Sequence, residues 1–265
     1  MKATVSRISR AFQDRAQGGK AALIPYVTAG FPDLDVTDRI LDGLVEAGAD
    51  IIELGIPFSD PLADGPTIQA SSFRALQNGV RVEWVLERLR AFRSRHDVAV
   101  VLFTYLNPVV HYGPERFCRD ARQAGADGLL LTDLPAGADP GLEETVRGSG
   151  LELIRLLAPT TPLERVPEVA AGGSGFLYYI SRTGVTGASA ELRQELANEV
   201  AQVREAAELP VAVGFGISTP EQAASVAGIA DGVVVGSALI HALEAGGVEG
   251  AVEFVRALRD AMDGA

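Results

Sequence analysis

The sequence predicts an α/β fold, a (β/α)₈ TIM barrel forming a single domain over residues 1–265. Short runs rich in Val, Ile and Leu recur eight times, and each is continuous rather than alternating, as expected of parallel strands buried on both faces. A segment with helical periodicity follows each run. A chain of 265 residues with 47% hydrophobic side chains has the size and core that such a barrel needs. The alternative with the same local pattern is an open doubly wound sheet.

The elements can be assigned in chain order. An N-terminal helix, with Val5, Ile8, Ala11 and Phe12 on one apolar stripe, is predicted to cover the bottom of the barrel. The predicted strands are 22–27, 51–54, 98–104, 128–131, 151–156, 176–180, 210–213 and 232–235. An amphipathic helix is predicted over 82–93, and a short extra helix over 238–243 after the last strand.

Helix starts and strand entries have their own signals. Segments 161–164 and 219–222 each place a Thr in an N-cap position before Pro and an acid or amide, which predicts a helix start. A weak repeat of Ala, Gly and Asp precedes three strands, at 47–50, 124–127 and 227–231. Its Gly is expected to end a helix in the left-handed conformation, and its Asp to turn the chain into the next strand.

Composition excludes several classes of protein. A net charge of −12 disfavours a nucleic-acid or anionic membrane surface as the main partner. The longest apolar runs are far too short to span a bilayer, and residues 1–12 contain no apolar segment typical of a signal peptide. Cys118 is the only cysteine, so no internal disulfide can form and a cytoplasmic location is expected.

Functional groups of a TIM barrel stand at the carboxyl ends of its strands, and there Glu53 interrupts an otherwise apolar strand. Burial of a carboxylate raises its pKa towards neutrality, which suits a general acid and base; the alternative is a structural Glu satisfied by a nearby donor. The loop 58–66 that follows carries Asp60 and Asp64 between prolines, which stiffen it. Asp64 is predicted to lean over the barrel mouth, whereas Asp60 is interpreted as a turn residue.

Two glycine loops predict a phosphate site. They follow strands 7 and 8, at 214–218 and at Gly236-Ser237, and the second opens directly into the predicted extra helix. Glycine lets backbone amides approach an anion, and amides at a helix start point at it. The polar segment 181–189, punctuated by glycine, is typical of either a loop that closes over substrate or an ordinary mobile connection.

Other chemistries fit the sequence poorly. Lys2 and Lys20 are the only lysines and both precede the first strand, away from the mouth, which excludes a Schiff-base aldolase. The three histidines have no metal-ligand spacing, and Cys118 is interpreted as a packed small residue. The sequence therefore predicts no metal and no cofactor, and favours acid–base chemistry on a phosphorylated small molecule.

Residues 52–66, Ile-Glu-Leu-Gly-Ile-Pro-Phe-Ser-Asp-Pro-Leu-Ala-Asp-Gly-Pro, resemble the signature of the tryptophan synthase alpha chains. The resemblance continues in order over essentially the whole chain, through segments 26–30, 158–162, 181–187 and 214–218, and Gly236-Ser237. It implies a barrel that cleaves indole-3-glycerol phosphate to indole and glyceraldehyde 3-phosphate.

The resemblance also implies roles for individual residues. Glu53 would protonate indole C3 and then help to deprotonate the glycerol hydroxyl, while Asp64 would hold the indole N–H. Tyr178 corresponds to an active-site tyrosine of the family. The substrate-binding positions implied are Tyr26, Thr186, Gly187, Phe215, Gly216, Gly236 and Ser237.

The resemblance implies a partner as well, a pyridoxal-phosphate-dependent beta subunit that receives indole in an α₂β₂ complex, with residues 107–113 at part of the interface. Two alternatives stay open at this point. One is another phosphate-binding TIM-barrel isomerase or lyase. The other is a barrel without catalytic activity that regulates a partner subunit.

Overall fold

The computed structural model describes residues 5–181, 190–214 and 216–264, with the backbone alone over 190–193. Within these residues eight parallel strands close into a barrel in chain order, and the last strand pairs with the first. This closure confirms the predicted barrel and excludes the open sheet. The strands are β1 (Ala22–Thr28), β2 (Ile51–Gly55), β3 (Ala99–Thr104), β4 (Gly128–Leu131), β5 (Glu152–Leu157), β6 (Leu177–Ile180), β7 (Val211–Gly214) and β8 (Gly232–Val235).

The helices surround the barrel, and a 3₁₀ helix, Leu163–Arg165, precedes α8. The α-helices of the described residues are α1 (Arg7–Gln17), α2 (Val36–Glu46), α3 (Pro66–Gln77), α4 (Val82–Arg93), α5 (Leu106–Tyr112), α6 (Pro114–Ala124), α7 (Pro140–Gly148), α8 (Val166–Ala171), α9 (Ala190–Ala206), α10 (Pro220–Ala227) and α11 (Ser237–Gly264). Gly247 has non-helical angles, so α11 is two helices joined there, and the first is the predicted helix after strand 8. In the part of the chain that the structure describes, no helix is both long enough and apolar enough to cross a membrane.

The N-terminal helix closes the bottom of the barrel, as predicted. Ile8 and Phe12 are buried in a cluster with inward-facing strand residues, and the ring of Phe12 lies 5.5 Å from that of Phe176. Val5 does not belong to this stripe, because it precedes the helix and is 53% exposed. A second, larger apolar cluster lies between the strands and the outer helices.

The repeated Asp residues join neighbouring strands at this end of the barrel. The carboxylates of Asp50, Asp127 and Asp231 accept hydrogen bonds of 2.8–2.9 Å from backbone amides of β1, β3 and β7 respectively. Each Asp also pairs with an arginine, so the short turn before β2, β4 or β8 is tied both to the preceding strand and to a helix. The repeat is thus a structural device at the end opposite the mouth.

Two local predictions are wrong in detail. Gly48 and Gly125 have the expected positive φ, but Gly228 has a φ of −73°. The turn that contains Gly228 is one residue longer than the other two, and there the helix ends without a residue in the left-handed conformation. Thr219 forms the predicted capping box with Gln222. Thr161 caps no helix, because Pro162 is extended and the chain first turns as a 3₁₀ helix from residue 163.

Candidate active site

The carboxyl ends of the strands form an open mouth lined by inward-facing side chains. Side chains alternate along a strand, so Glu53 and Gly55 of β2 face the same side as Tyr26 of β1. Tyr26 and Glu53 are direct partners in the register of these two strands. On the opposite side of the barrel, Tyr178 of β6 packs at the edge of the inner cluster and is only partly buried. Burial therefore alternates along β6, whereas the sequence predicted a strand buried throughout.

Glu53 is a carboxyl whose burial is not compensated by any charge or hydrogen bond to Oε1 within the described residues. It is 1% exposed, and its Oε1 has no hydrogen-bond partner among the described residues. Burial raises its pKa to about 8, and no charge among the described residues offsets this effect. The group is therefore mostly protonated at neutral pH, although it can still lose its proton, as a general acid and base requires.

Asp64 is held at the rim by a neighbouring tyrosine. Burial raises the pKa of its carboxyl to about 6, and a hydrogen bond with the Tyr105 hydroxyl partly offsets this rise. The same hydroxyl accepts the backbone N–H of Ala63 at 3.0 Å, and the Tyr105 ring packs on Phe58 at 5.2 Å. Gln69 donates to the carbonyl of Asp64 at 2.9 Å. The loop after β2 is thus fixed with the Asp64 carboxyl ionised at neutral pH.

Two glycines make room for two tyrosines. A Cβ on Gly55 would collide with the hydroxyl of Tyr26 and lie 2.7 Å from its Cζ, and a Cβ on Gly214 would meet Tyr178 in the same way. Each tyrosine therefore crosses in front of the next strand and brings its hydroxyl over the mouth. Burial, and secondarily the charges of Glu53 and Asp64, raise the pKa of Tyr178 well above its usual value, so its phenol stays protonated.

The predicted phosphate positions lie beside one another, because β7 and β8 are neighbours in the barrel. Gly216 follows β7 with a φ of +75°, which a side chain would strain. Gly236 precedes α11, whose first intrahelical bond runs from the Ile240 amide to the Gly236 carbonyl. The amides of the first turn, beginning with exposed Ser237, are not used by the helix and suit an anion.

The structure does not describe every predicted position. Thr186, Gly187 and Phe215, and the predicted closing loop 181–189 beyond Ser181, lie outside the described residues. Four of the described site residues face one mouth: Glu53, Asp64, Tyr26 and Tyr178. The charges of Glu53 and Asp64 contribute to the raised pKa of both tyrosines, as expected of groups that lie close together.

The sequence analysis did not assign roles to Tyr105 or Gly55, and it placed Gly214 in a predicted phosphate loop, whereas the structure has it making room for Tyr178. Gly55 carried a usable signal, because it follows Glu53 by two residues and so shares its strand face. The contact of Tyr105 with Asp64 had no signal, since 41 residues of chain separate them.

Other chemistries have little support in the described residues. No group of three or more His, Cys, Asp or Glu is arranged there to hold a metal ion. Cys118 is buried as a packed side chain, and burial raises the pKa of its thiol to about 11. Lys20 lies between α1 and β1 at the bottom of the barrel and donates to the carbonyl of Asp263 at 2.8 Å.

Comparison with known proteins agrees with this geometry. A family model described as "Tryptophan synthase alpha chain" matches residues 12–263. The tryptophan synthase alpha chain of Citrifermentans bemidjiense is 52% identical over 240 residues, covering 91% of this chain and 90% of that one. The alpha chain of Dehalococcoides mccartyi is 45% identical over 260 residues, covering 98% of this chain and all of that one. Tryptophan synthase subunit alpha of Legionella pneumophila superposes with a TM-score of 0.92 at 38% identity, covering 99% of this chain and 100% of that one. The chain therefore belongs to the tryptophan synthase alpha chain family.

Proposed function

We propose that this chain is a carbon–carbon lyase that cleaves indole-3-glycerol phosphate to indole and glyceraldehyde 3-phosphate, a step of tryptophan biosynthesis. The observation that carries the proposal is Glu53, a buried carboxyl with a pKa of about 8 that faces the mouth of the barrel and has no compensating charge among the described residues. Membership of the alpha chain family supports the same reaction.

The reaction begins with a proton from Glu53. Protonated Glu53 gives its proton to C3 of the indole ring, which places a positive charge on the ring nitrogen. The Asp64 carboxylate, ionised above a pKa of about 6, binds the N–H and stabilises this charge. Neither step needs a metal or a cofactor.

Bond cleavage returns the proton to the same carboxyl. The Glu53 carboxylate takes the proton of the hydroxyl on the carbon bonded to indole C3, and this carbon becomes the aldehyde of glyceraldehyde 3-phosphate. The electrons of the broken carbon–carbon bond return to the ring and neutralise the nitrogen. Tyr178, held as a neutral phenol, is placed to hydrogen-bond the chain oxygen that changes.

The phosphate is bound by backbone amides near Gly216, Gly236 and Ser237, and we place the predicted Thr186, Gly187 and Phe215 in the same substrate site. Binding by amides at a helix start explains how a chain with a net charge of −12 holds an anionic substrate.

Membership of the alpha chain family implies a beta subunit as partner. We propose an α₂β₂ complex with a pyridoxal-phosphate-dependent beta chain. The exposed Leu62 and Val110, on the loop after β2 and on α5, support an interface at this rim. The cytoplasmic location predicted from the sequence is part of this proposal.

Glu53→Gln tests the proposed role directly. We expect the variant to fold and to release indole from indole-3-glycerol phosphate at least 1,000-fold more slowly, because Gln can neither give nor take the proton, on the order of the general acid–base contribution. Glu152→Gln is the matched control, since Glu152 also has a raised pKa but lies at the amino end of β5. Near-normal indole release by Glu53→Gln would contradict the role. No indole release by the unchanged chain, with or without a beta subunit, would favour the isomerase or regulatory alternatives.

A further inference from the structure

Tyr26 lies on the floor of the mouth, between the proposed phosphate site and β2, the strand that carries Glu53. Its Cβ and Cδ1 lie 3.7 Å from the Cβ position of Gly236, and its hydroxyl lies over Gly55. The ring packs edge-on against Phe103 at 5.1 Å and is 6% exposed. The phenol oxygen therefore lies on the same face of the barrel wall as Glu53, at the mouth where the proposed function places the substrate.

A chain of buried hydroxyl groups leads away from Tyr26. Its oxygen lies 3.1 Å from Oγ1 of Thr28, which in turn lies 2.7 Å from Oγ of Ser71. Ser71 Oγ lies 2.9 Å from the carbonyl oxygen of Ile68, in the first turn of α3. Thr28 is 3% exposed and Ser71 is 1% exposed, so solvent does not compete for these bonds.

Counting protons fixes the direction of every bond in this chain. A carbonyl can only accept, so the single proton of Ser71 goes to Ile68. Thr28 must then donate to Ser71, and Tyr26 must donate to Thr28. Burial raises the pKa of Tyr26, so the phenol keeps its one proton for this use. No donor to the Tyr26 oxygen is found among the described residues, and its accepting capacity is left for a ligand.

We propose that Tyr26 is a hydrogen-bond acceptor of fixed polarity in the substrate site, and that it accepts a hydrogen bond from a hydroxyl group of the substrate. This inference rests on the proposed function, under which Asp64 binds the indole N–H and the remaining donors are the hydroxyl groups of the glycerol chain. Ser71 and Thr28 act on the ligand only through Tyr26 and are positioning residues.

Ligand binding by Tyr26→Phe tests the contact. Titration calorimetry would compare indole-3-glycerol phosphate with indole-3-propanol phosphate, whose chain has no free hydroxyl, in a Glu53→Gln background that prevents turnover. We expect Tyr26→Phe to weaken binding of indole-3-glycerol phosphate about five- to ten-fold, as loss of one buried hydrogen bond should. An unchanged affinity for the propanol analogue assigns the bond to a chain hydroxyl, and an equal loss for both ligands would overturn that contact.

Ser71→Ala tests the fixed polarity. Without Ser71 Oγ, the proton of Thr28 is free to point at the Tyr26 oxygen, which then no longer accepts from the ligand. We expect Ser71→Ala to weaken binding as much as Tyr26→Phe, although its side chain cannot reach the ligand, and the double variant to lose no more than either single one. A merely structural role of Ser71 would not produce this non-additivity.

Tyr112→Phe is the control in the isolated chain, because it removes a hydroxyl whose partner is Asp120 on the outer surface. Binding by Tyr26→Phe within twofold of the parent would overturn the contact, and unchanged binding by Ser71→Ala would overturn the polarity. Failure of the proposed function is distinguishable from both, since the parent chain itself would then neither bind these indole phosphates nor release indole.

Discussion

Glu53 and Asp64 are both carboxyls at one barrel mouth, yet their environments separate their proton affinities. Glu53 is fully buried, its Oε1 has no donor in the part of the chain that the structure describes, and its pKa is about 8. Asp64 lies at the rim beside the Tyr105 hydroxyl and has a pKa of about 6. Between these values Glu53 carries a proton and Asp64 does not. This is the combination that the proposed reaction needs, an acid for C3 and an anion for the ring nitrogen.

The separation predicts a bell-shaped dependence of kcat/KM on pH. Activity should fall below about pH 6, where Asp64 gains a proton, and above about pH 8, where Glu53 loses its proton in the free enzyme. Tyr105→Phe removes the hydrogen bond to Asp64 and should move the acidic limb upward while leaving the basic limb in place. Steady-state rates of indole release from pH 5 to pH 9 measure both limbs. A profile that rises steadily through pH 9 would contradict the protonated role of Glu53.

At the scale of elements, the barrel separates chemistry from stability along its axis. At the carboxyl ends of the strands, Oε1 of buried Glu53 has no hydrogen-bond partner among the described residues, whereas the carboxylates at the amino ends are held by hydrogen bonds and ion pairs. Asp127, which is 4% exposed, accepts the Val100 amide at 2.9 Å and pairs with Arg93 at 2.9 Å and Arg7 at 3.0 Å. It thereby joins β3, β4, α4 and α1.

Asp127→Ala should lower the free energy of unfolding by about 3–5 kcal/mol, because it leaves a buried amide unpaired and deprives partly buried arginines of their partner. Asp97→Ala is the matched control, since its carboxylate pairs with Arg7 and Arg10 but its side chain is 65% exposed, and it should cost about 1 kcal/mol or less. Urea denaturation of the three proteins measures the difference. Equal losses in the two variants would show that burial of Asp127 contributes nothing.

At the scale of the whole molecule, the proposed catalytic carboxyl of Glu53 lowers stability as pH rises. Glu53 has a pKa of about 8 in the folded chain and an ordinary value of 4.5, so the folded state binds the proton more tightly. Between these values the folded chain holds a proton that the unfolded chain releases. The free energy of unfolding therefore falls with increasing pH over this window, on the order of 5 kcal/mol in all.

Glu53→Gln should remove this decline, because Gln does not ionise. Relative to the unchanged chain, the variant should become more stable as pH rises from 5 to 8, and other titrating groups cancel in the comparison. Urea denaturation of both proteins at pH 5.5 and pH 8 provides the measurement. A difference in stability that does not change with pH would mean that Glu53 is ionised in the folded chain at both values. The proposed active site is thus also a site of reduced stability.

The positions of the eight strands, the bottom helix and the helix after β8 were predictable from sequence, because strand periodicity, turns and caps depend on neighbours a few residues away. Glu53 and Asp64 were identifiable because a carboxyl in a buried strand and an acid in a loop stiffened by proline are local anomalies. The direction of the Tyr26 hydroxyl and the separation of the two carboxyl pKa values were not predictable. Both depend on contacts between groups that lie dozens of residues apart in the chain, and only closure of the barrel brings these groups together. The contacts are those of Ser71 with Thr28, Gly55 with Tyr26 and Tyr105 with Asp64.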